Sequence, residues 1–389
     1  RTSRGLGDVY KRQYLYFSDE DYDQAMYAYE QLLKEPEATI PLRTASLLTL
    51  AQLNLVKERW DKGISLILQW MDEVETITAQ SYYLLSSAYF QKEDFVRARS
   101  NMEEAIRLAE EEGYRPKENW YVLLAACFNE LKDRKVIGPE YALEQQVGIY
   151  EILVNYYPKK QYFLQLGYTY QQMDREEDYM LTLKAAYDKD FLDKESEYLA
   201  LAQMLLLKKN PYWAAQVLVA GQQKKVTITD DDTGEEEIVA VLKDKEKTLK
   251  LLADAWRMAQ EIDMAIPVLE KAAKMSKDGD TYVLLGNLYL FEDRMEDSIR
   301  AIKNGLEKPK VKSRSQALLV LGQAYFELQN FEEAKKHFRA AARDENKRIK
   351  KTANSWIKYA ENEEIRVKNL ALRRDFIQQS KAKSKEKNS

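Results

Sequence analysis

The sequence predicts an all-α fold, a right-handed α-solenoid of stacked helical hairpins, and three observations favour this class. Helix-forming residues fill most of the 389 positions, whereas only 13 are glycine and 8 are proline. Similar segments recur along the chain with a period of roughly 34 residues or somewhat more. The mean hydropathy is −0.59, and no apolar run approaches the length of a transmembrane helix, so a membrane-spanning bundle is excluded.

The first segment, residues 1–13, reads RTSRGLGDVYKRQ and has no apolar periodicity. It resembles the translated sequencing-adapter scar found at the ends of environmental gene assemblies, and we exclude it from fold reasoning. The pattern that follows begins in the middle of a repeat, because Tyr22, Ala25, Tyr29 and Leu32 match only the second helix of a hairpin. We therefore expect the natural N-terminus, with any signal peptide, to be missing.

Residues 14–342 are predicted to form about eight full hairpins after this truncated one. A small residue marks the first helix of each hairpin, and an aromatic residue often follows three positions later. The small residues are Ala51, Ser86, Ala125, Gly167, Ala202, Ala253, Gly286 and Gly322. A small side chain lets the second helix cross the first closely, and the aromatic side chain on the same face fills the gap between repeats. This arrangement accounts for many of the 26 tyrosines.

Three segments carry the fullest version of this pattern, Phe163–Tyr170, Tyr282–Tyr289 and Leu318–Tyr325. With the second helices that follow them, they resemble the tetratricopeptide repeat, a helix–turn–helix unit. The resemblance implies a solenoid that binds proteins.

Two spacings between the small residues are longer than the period. The first holds a loop with Gly138 and Pro139. The second contains an insertion, residues 222–247, in which two β-prone segments, Val226–Thr229 and Ile238–Val241, flank a polar run. This insertion is predicted to be a β-hairpin or a strand-prone loop. It is either a solvated excursion or part of a binding face.

Residues 343–379 are predicted to form one long helix that caps the last repeat, with an early apolar stripe of Trp356, Ile357, Tyr359 and Ala360. The end of the chain, residues 380–389, is predicted to be a disordered basic tail.

The formal net charge of −4 separates into −14 for residues 14–342, +7 for residues 343–389 and +3 for the first thirteen. The acidic body argues against nucleic-acid binding. The basic end is either solvated or directed at an anionic partner.

Catalytic residue types are scarce, with one histidine, His337, and one cysteine, Cys127. Both occupy packing or surface positions of the repeat. The acidic run from Asp230 to Glu237 lacks the spacing of a calcium-binding loop, and no phosphate-binding or nucleophile-elbow motif occurs. We predict no catalytic, cofactor-binding or metal-binding residue.

The concave surface of such a solenoid is formed by the first helices. Side chains one and four residues after the small residue, and some three before it, are predicted to line this groove. The predicted groove residues are Tyr83, Ser87, Phe90, Leu164, Tyr168, Gln171, Gln203, Leu206, Asp254, Arg257, Asn287, Leu290, Gln323 and Phe326. Their aromatic and amide groups suit an extended peptide or a partner helix. Each of them either meets a partner or packs against the next repeat. The carboxylate clamp of chaperone-binding tetratricopeptide domains is missing, because Asp254 stands where the clamp has asparagine.

Four short sequence segments suggest a narrower family: Lys117–Leu124, Tyr157–Leu166, Lys194–Ala202 and Pro211–Ala215. They are similar to tetratricopeptide proteins encoded beside the second Ton energy-transduction system of marine gammaproteobacteria. That resemblance implies a periplasmic scaffold, an accessory of TonB, ExbB and ExbD in siderophore–iron transport. The insertion at residues 222–247 departs from it.

From the sequence we therefore predict a non-enzymatic protein-interaction scaffold. Two alternatives stay open at this point. One is a cytoplasmic adaptor or regulator. The other is the substrate-selecting solenoid of an enzyme whose catalytic domain lies in the missing N-terminal part.

Overall fold

The computed structural model describes residues 22–229 and 234–387. Within them lie eighteen α-helices and one two-stranded antiparallel sheet, so the predicted all-α solenoid is confirmed. The predicted foreign segment at residues 1–13 lies outside the described residues, as do Asp230, Asp231 and Asp232. The chain divides into two compact units, an N-terminal unit of residues 1–191 and a C-terminal unit of residues 192–389.

The described part of the N-terminal unit is built of one single helix followed by four helical hairpins. Within each hairpin the first and second helices pack together, and each second helix packs on the first helix of the next hairpin. The helices are α1 (Tyr22–Lys34), α2 (Ile40–Val56), α3 (Trp60–Glu73), α4 (Ala79–Gln91), α5 (Phe95–Glu111), α6 (Glu118–Asp133), α7 (Pro139–Tyr156), α8 (Lys160–Gln172) and α9 (Glu176–Asp188). The single helix α1 packs Ala25 and Tyr29 against α2 and also buries Leu32, as the second helix of a hairpin does.

The C-terminal unit contains four more hairpins, one inserted β-hairpin and a long final helix. Its elements are α10 (Glu195–Leu207), α11 (Pro211–Gln223), β1 (Lys225–Thr229), β2 (Glu236–Ala240), α12 (Glu246–Met258), α13 (Ile262–Met275), α14 (Asp280–Phe291), α15 (Met295–Glu307), α16 (Arg314–Glu327), α17 (Phe331–Ala341) and α18 (Lys347–Lys387).

Small residues govern how closely the two helices of a hairpin approach, as predicted. All eight are buried. A Cβ atom added at Gly286 would lie 2.5 Å from Ile302, and one added at Gly322 would lie 2.5 Å from Phe338. In the hairpin where the small residue is serine, its hydroxyl forms a hydrogen bond with the backbone of the second helix. Ser86 Oγ donates to the Ala98 carbonyl at 2.6 Å. The helices therefore touch at these points with no space for a larger side chain.

The aromatic residue three positions later fills the space between repeats while its polar end reaches the surface. Tyr170 is buried, and its hydroxyl donates to Glu151 of the preceding second helix at 2.7 Å. The guanidinium of Arg175 covers the same ring at 4.6 Å from its centroid. Tyr289 repeats the arrangement with Glu270 and Arg294. Tyrosine suits this place because its ring packs in the core and its hydroxyl finds a partner.

The turn inside a hairpin uses a left-handed residue that is not glycine. In seven of the eight hairpins this residue stands seven positions after the small one, as at Glu93 (φ 65°) and Asp293 (φ 55°). The next backbone amide then bonds the carbonyl of the aromatic residue, as Asp94 does to Tyr89 at 2.9 Å. This is the helix-ending motif in which glycine is most often found, which explains how the chain turns so often with so few glycines.

The insertion is a β-hairpin, in which Val226 pairs with Val239 and Thr227 with Ile238. Leu242, just after β2, anchors it, because its side chain is buried and its amide donates to the Gly221 carbonyl at 2.9 Å. Most of the two strands is exposed. The hairpin is therefore attached to the end of α11 by its base.

The final helix α18 covers the last repeat. Ala353 and Ala360 are fully buried, and Trp356 stacks on Phe338 of α17 at 5.5 Å. Lys335 of α17 forms an ion pair with Glu364 at 2.8 Å. The helix continues to Lys387. The prediction of a disordered tail from residue 380 is therefore wrong for residues 380–387, which are helical. Lysine, alanine and glutamate are good helix formers, and neither glycine nor proline interrupts them.

Candidate protein-binding surface

The first helices place the predicted groove residues at three levels of exposure. Tyr168, Gln171, Gln203 and Arg257 are exposed, and most of the others are half-buried. The half-buried residues are Tyr83, Ser87, Phe90, Leu164, Leu206, Asp254, Asn287, Leu290 and Gln323. The surface is thus partly open to a partner and partly used for packing.

Two of the aromatic side chains predicted to line the groove take part in packing. The Tyr83 ring stacks on Trp120 of the next first helix, with centroids 5.5 Å apart and 14° between the planes. Its hydroxyl accepts a hydrogen bond from Asn119 at 2.8 Å. Phe90 meets Phe95 edge-on at 5.1 Å. These side chains connect helices, so a partner could reach only part of each ring.

Phe326 corrects the groove prediction, because it is buried. Its ring lies 5.1 Å from Tyr359 and 5.6 Å from Trp356, both on α18. In the last repeat no further first helix follows, and α18 packs over the face that would otherwise be open. Phe326 therefore belongs to the cap interface and not to the binding surface.

A depression of about 530 Å³ opens in the N-terminal unit between the first helices α6 and α8 and the second helix α7. Its wall combines amide groups with aromatic rings and one lysine. The lining residues that define its chemistry are Asn129, Lys132, Gln146, Tyr150, Gln161, Gln165, Tyr168 and Gln172. A side-chain amide offers one acceptor and an NH2 donor group, which matches the backbone of an extended peptide.

A second depression, of about 680 Å³, opens in the C-terminal unit between α12 and α14. Its lining includes three large apolar side chains, Leu284, Leu288 and Phe291. The lining also includes one basic and three acidic side chains, Arg257, Glu261, Asp263 and Glu292. The Arg257 guanidinium is also paired with Asp254 at 3.2 Å. A lining of apolar and mainly acidic side chains suits a segment that has an apolar anchor and basic neighbours.

The groove prediction missed a row of exposed apolar side chains five residues after the small residue. Leu207, Met258 and Phe291 occupy this position on the successive first helices α10, α12 and α14, and they are 80%, 49% and 74% exposed. The fifth position lies one helical turn beyond the first, on the same face. Alignment of the repeats would have revealed this row, because three consecutive units of the sequence carry a large apolar residue at the fifth position.

The two residues considered for catalysis occupy packed positions. Cys127 is fully buried in the N-terminal unit, and this burial raises the pKa of its thiol to about 12. His337 stacks on Tyr325 with centroids 5.5 Å apart, and its Nε2 lies 3.5 Å from Glu333. Burial lowers the pKa of this histidine. A thiol that stays protonated is a poor nucleophile. Among the described residues, no group of three or more His, Cys, Asp or Glu could hold a metal ion.

Comparison with protein families matches two segments of the chain. Residues 79–112 match one model of the tetratricopeptide repeat, and residues 283–347 match another. No curated protein matches the chain. In the described part of the chain, no helix is long and apolar enough to cross a membrane.

Several solved structures are similar to parts of the chain at low identity. The crystal structure of MamA is 19% identical, covers 48% of this chain and 97% of its own, and has a TM-score of 0.37. A tetratricopeptide repeat protein from Parabacteroides merdae is 13% identical over 73% of this chain and 98% of its own, with a TM-score of 0.29. In the crystal structure of the APC/C hetero-tetramer Cut9–Hcn1, the matched chain is 12% identical over 90% of this chain and 82% of its own, with a TM-score of 0.32. The family matches identify the chain as one that carries tetratricopeptide repeats in both units, at residues 79–112 and 283–347.

Proposed function

We propose that this chain is a non-enzymatic scaffold that holds protein segments against its first helices. Tetratricopeptide repeat proteins generally mediate protein–protein interaction. The observation that carries the proposal is the depression between α12 and α14, where the Phe291 side chain is largely exposed beside Leu284 and Leu288. A large apolar side chain left open to solvent within a concave, partly charged surface is typical of a binding site.

Site-specific photo-crosslinking in the host tests this proposal. A photoreactive phenylalanine analogue replaces Phe291 in the full chain. A control places the analogue at Met275, another exposed apolar position, at the end of the second helix α13. We expect a protein adduct from position 291 and none from position 275. Equal adduct formation at both positions, or none at position 291, would contradict the proposal.

We also propose that the scaffold works in the periplasm as an accessory of a Ton energy-transduction system. The four short sequence segments that resemble the Ton-associated tetratricopeptide proteins support this context. The partners would be periplasmic parts of TonB, ExbB or ExbD, and the transported cargo would be ferric siderophores. The acidic body, −14 over residues 14–342, would favour basic partner segments.

Deletion of the gene in its host tests the Ton context, and we expect it to reduce uptake of radiolabelled ferric siderophore. Binding of purified TonB and ExbD periplasmic domains to the full chain gives a second measurement. Normal uptake by the deletion strain together with no binding would remove the Ton assignment, while the crosslinking result at position 291 would still decide the scaffold function. The uninterrupted gene tests the compartment, since a cleavable apolar leader supports the periplasm and its absence supports a cytoplasmic adaptor.

A further inference from the structure

The distal half of α18 carries an apolar stripe that no described residue covers. After Val367, every described side chain up to Lys381 is exposed. Ile365, Leu372 and Phe376 are 58%, 66% and 71% exposed and lie along one line of the helix. Withdrawing this much apolar surface from water is favourable. The stripe is therefore a candidate contact surface.

The spacing within the stripe is that of a coiled-coil seam. Ile365, Asn369, Leu372 and Phe376 follow one another at intervals of four, three and four, so they occupy successive d and a positions of two heptads. A separate row, with Ala353 and Ala360, faces α17 and is buried. An a/d seam receives the side chains of another helix between its own, and one asparagine at an a position fixes the pairing register.

The charges beside the seam indicate which kind of helix fits. Arg366 and Arg373 occupy the e positions, while Lys368 and Asp375 occupy the g positions. Predominantly basic flanks disfavour a second copy of α18 and favour a partner with glutamate or aspartate at these places. Arg366 and Lys368 already pair with Glu363 and Glu364 on their own helix. The Arg366 and Lys368 side chains are nevertheless 64% and 70% exposed, so they are also accessible to a partner.

A lipid surface fits this helix less well than a second helix does. A helix that lies in a membrane interface needs a broad, continuous apolar face. On α18 the polar side chains Arg366 and Arg373 separate the seam from the other exposed apolar pair, Leu370 and Ile377. The apolar surface is thus divided into narrow stripes, and a narrow stripe matches the width of a helix–helix seam.

We propose that α18 between Ile365 and Phe376 is a docking surface for an acidic amphipathic helix of another protein, which pairs with it as a short two-stranded coiled coil. The surface shares no residue with either depression on the first helices. This proposal does not depend on the Ton context.

The test uses the full chain and a synthetic helical peptide of three heptads. The probe has leucine at its a and d positions, one asparagine at the matching a position and glutamate at every e and g position. A second peptide with lysine at e and g is the charge control. Fluorescence anisotropy of the labelled peptides at low salt measures binding, and we expect the glutamate peptide to bind and the lysine peptide not to bind.

Matched variants separate the seam from the rest of the helix. The double variant Leu372→Ala/Phe376→Ala should weaken binding of the glutamate peptide by about tenfold or more. The control Leu370→Ala/Ile377→Ala removes similar side chains from another side of α18 and should change affinity by less than about twofold. Since all four side chains are exposed, the thermal midpoint of both variants should stay near that of the unmodified chain. The variant Arg366→Glu/Arg373→Glu should reverse the preference and bind the lysine peptide.

Three results would overturn the proposal. The first is a negative binding result: the glutamate peptide fails to bind, or both double alanine variants weaken its binding equally. The second is binding of the chain to phosphatidylglycerol vesicles that Leu372→Ala/Phe376→Ala abolishes, which would assign the stripe to a lipid surface. The third is a concentration-dependent dimer of the unmodified chain that the same variant dissociates, which would assign the stripe to a second copy.

Discussion

At the scale of single residues, three positions of most hairpins have distinct physical tasks. The small residue sets the distance between the helices, the aromatic residue fills the space to the neighbouring repeat, and the left-handed residue closes the turn. Gly322 against Phe338, Tyr170 with Glu151, and Glu93 illustrate these tasks in turn. Because each task is local, each can be tested by one substitution.

Substitution of Gly322 by alanine should destabilise the C-terminal unit. The added Cβ would lie 2.5 Å from the Phe338 ring, whose neighbour Trp356 leaves it little room to move. Overpacking of this kind costs about 1–3 kcal/mol. Gly148→Ala is the matched control, because a Cβ there meets nothing within 4 Å. In that helix the control should gain up to about 1 kcal/mol. Urea unfolding followed by circular dichroism measures both, and equal effects would contradict the packing argument.

Substitution of Glu93 by glycine should stabilise the chain. Glu93 has φ 65°, and a left-handed conformation costs a residue with a Cβ about 1 kcal/mol or more. Glycine removes this cost, although it raises the entropy of the unfolded chain. Lys92→Gly is the control, since the neighbouring Lys92 has φ −74° and gains nothing from glycine. We expect a higher thermal midpoint for the first variant and a lower one for the second, and the reverse order would disprove the strain.

At the scale of elements, the contact between α17 and α18 depends on charge as well as on apolar packing. Lys335 is buried and pairs with Glu364 at 2.8 Å. Hydrogen bonds from Lys335 and Lys368 lower the pKa of Glu364 to about 2. A carboxyl group with a lowered pKa in the folded chain stabilises the fold only while it is ionised.

Acid should therefore weaken the attachment of α18. The ordinary pKa of this carboxyl is 4.5 and the folded value is about 2, so its stabilising contribution is present above about pH 4.5 and is lost as the pH falls towards 2. Glu364→Gln should lower the thermal midpoint at pH 7 and bring the variant and the unmodified chain closer together at pH 2.5. Tryptophan fluorescence, to which Trp356 at this contact contributes, follows the detachment. As a control, Glu361→Gln alters an exposed carboxyl that lies 3.9 Å from Arg339, and an effect as large as that of Glu364→Gln would argue against the specific pair.

At the scale of the whole molecule, the chain consists of two compact units, and each has hydrophobic clusters of its own. Leu153, Phe128 and Trp120 belong to one cluster of the N-terminal unit, and Phe338 and Ala353 belong to one of the C-terminal unit. In repeat proteins stability is supplied mainly by contacts between neighbouring repeats. Four hairpins in each unit exceed the number needed for a stable array.

Each unit expressed alone should therefore fold. We expect fragments 22–191 and 192–387 to be helical by circular dichroism and to unfold cooperatively in urea. A fragment that cuts through a hairpin, such as 22–173, keeps α8 without its partner α9 and serves as the control, which we expect to be less stable than 22–191. Loss of cooperative unfolding in both complete units would contradict this division.

The periodic part of the fold could be predicted from the sequence because small and aromatic residues recur at fixed places. The β-hairpin was predictable from its β-prone segments on either side of a polar turn. The burial of Phe326 could not be read from the repeat pattern, because it depends on where α18 folds back. The exposed row of Leu207, Met258 and Phe291 was missed for a different reason. An apolar residue in a helix usually indicates a core position, so the sequence pattern alone did not mark these three as exposed.

The positions that build each hairpin are different from the positions that it offers to a partner. Gly286 and Tyr289 hold α14 in place, while Asn287 and Phe291, on an adjoining face of the same helix, point to the depression. Mutation can therefore alter the second set without disturbing the first. New binding specificities could therefore evolve, or be engineered, one helix at a time, because the residues that determine the architecture stay the same.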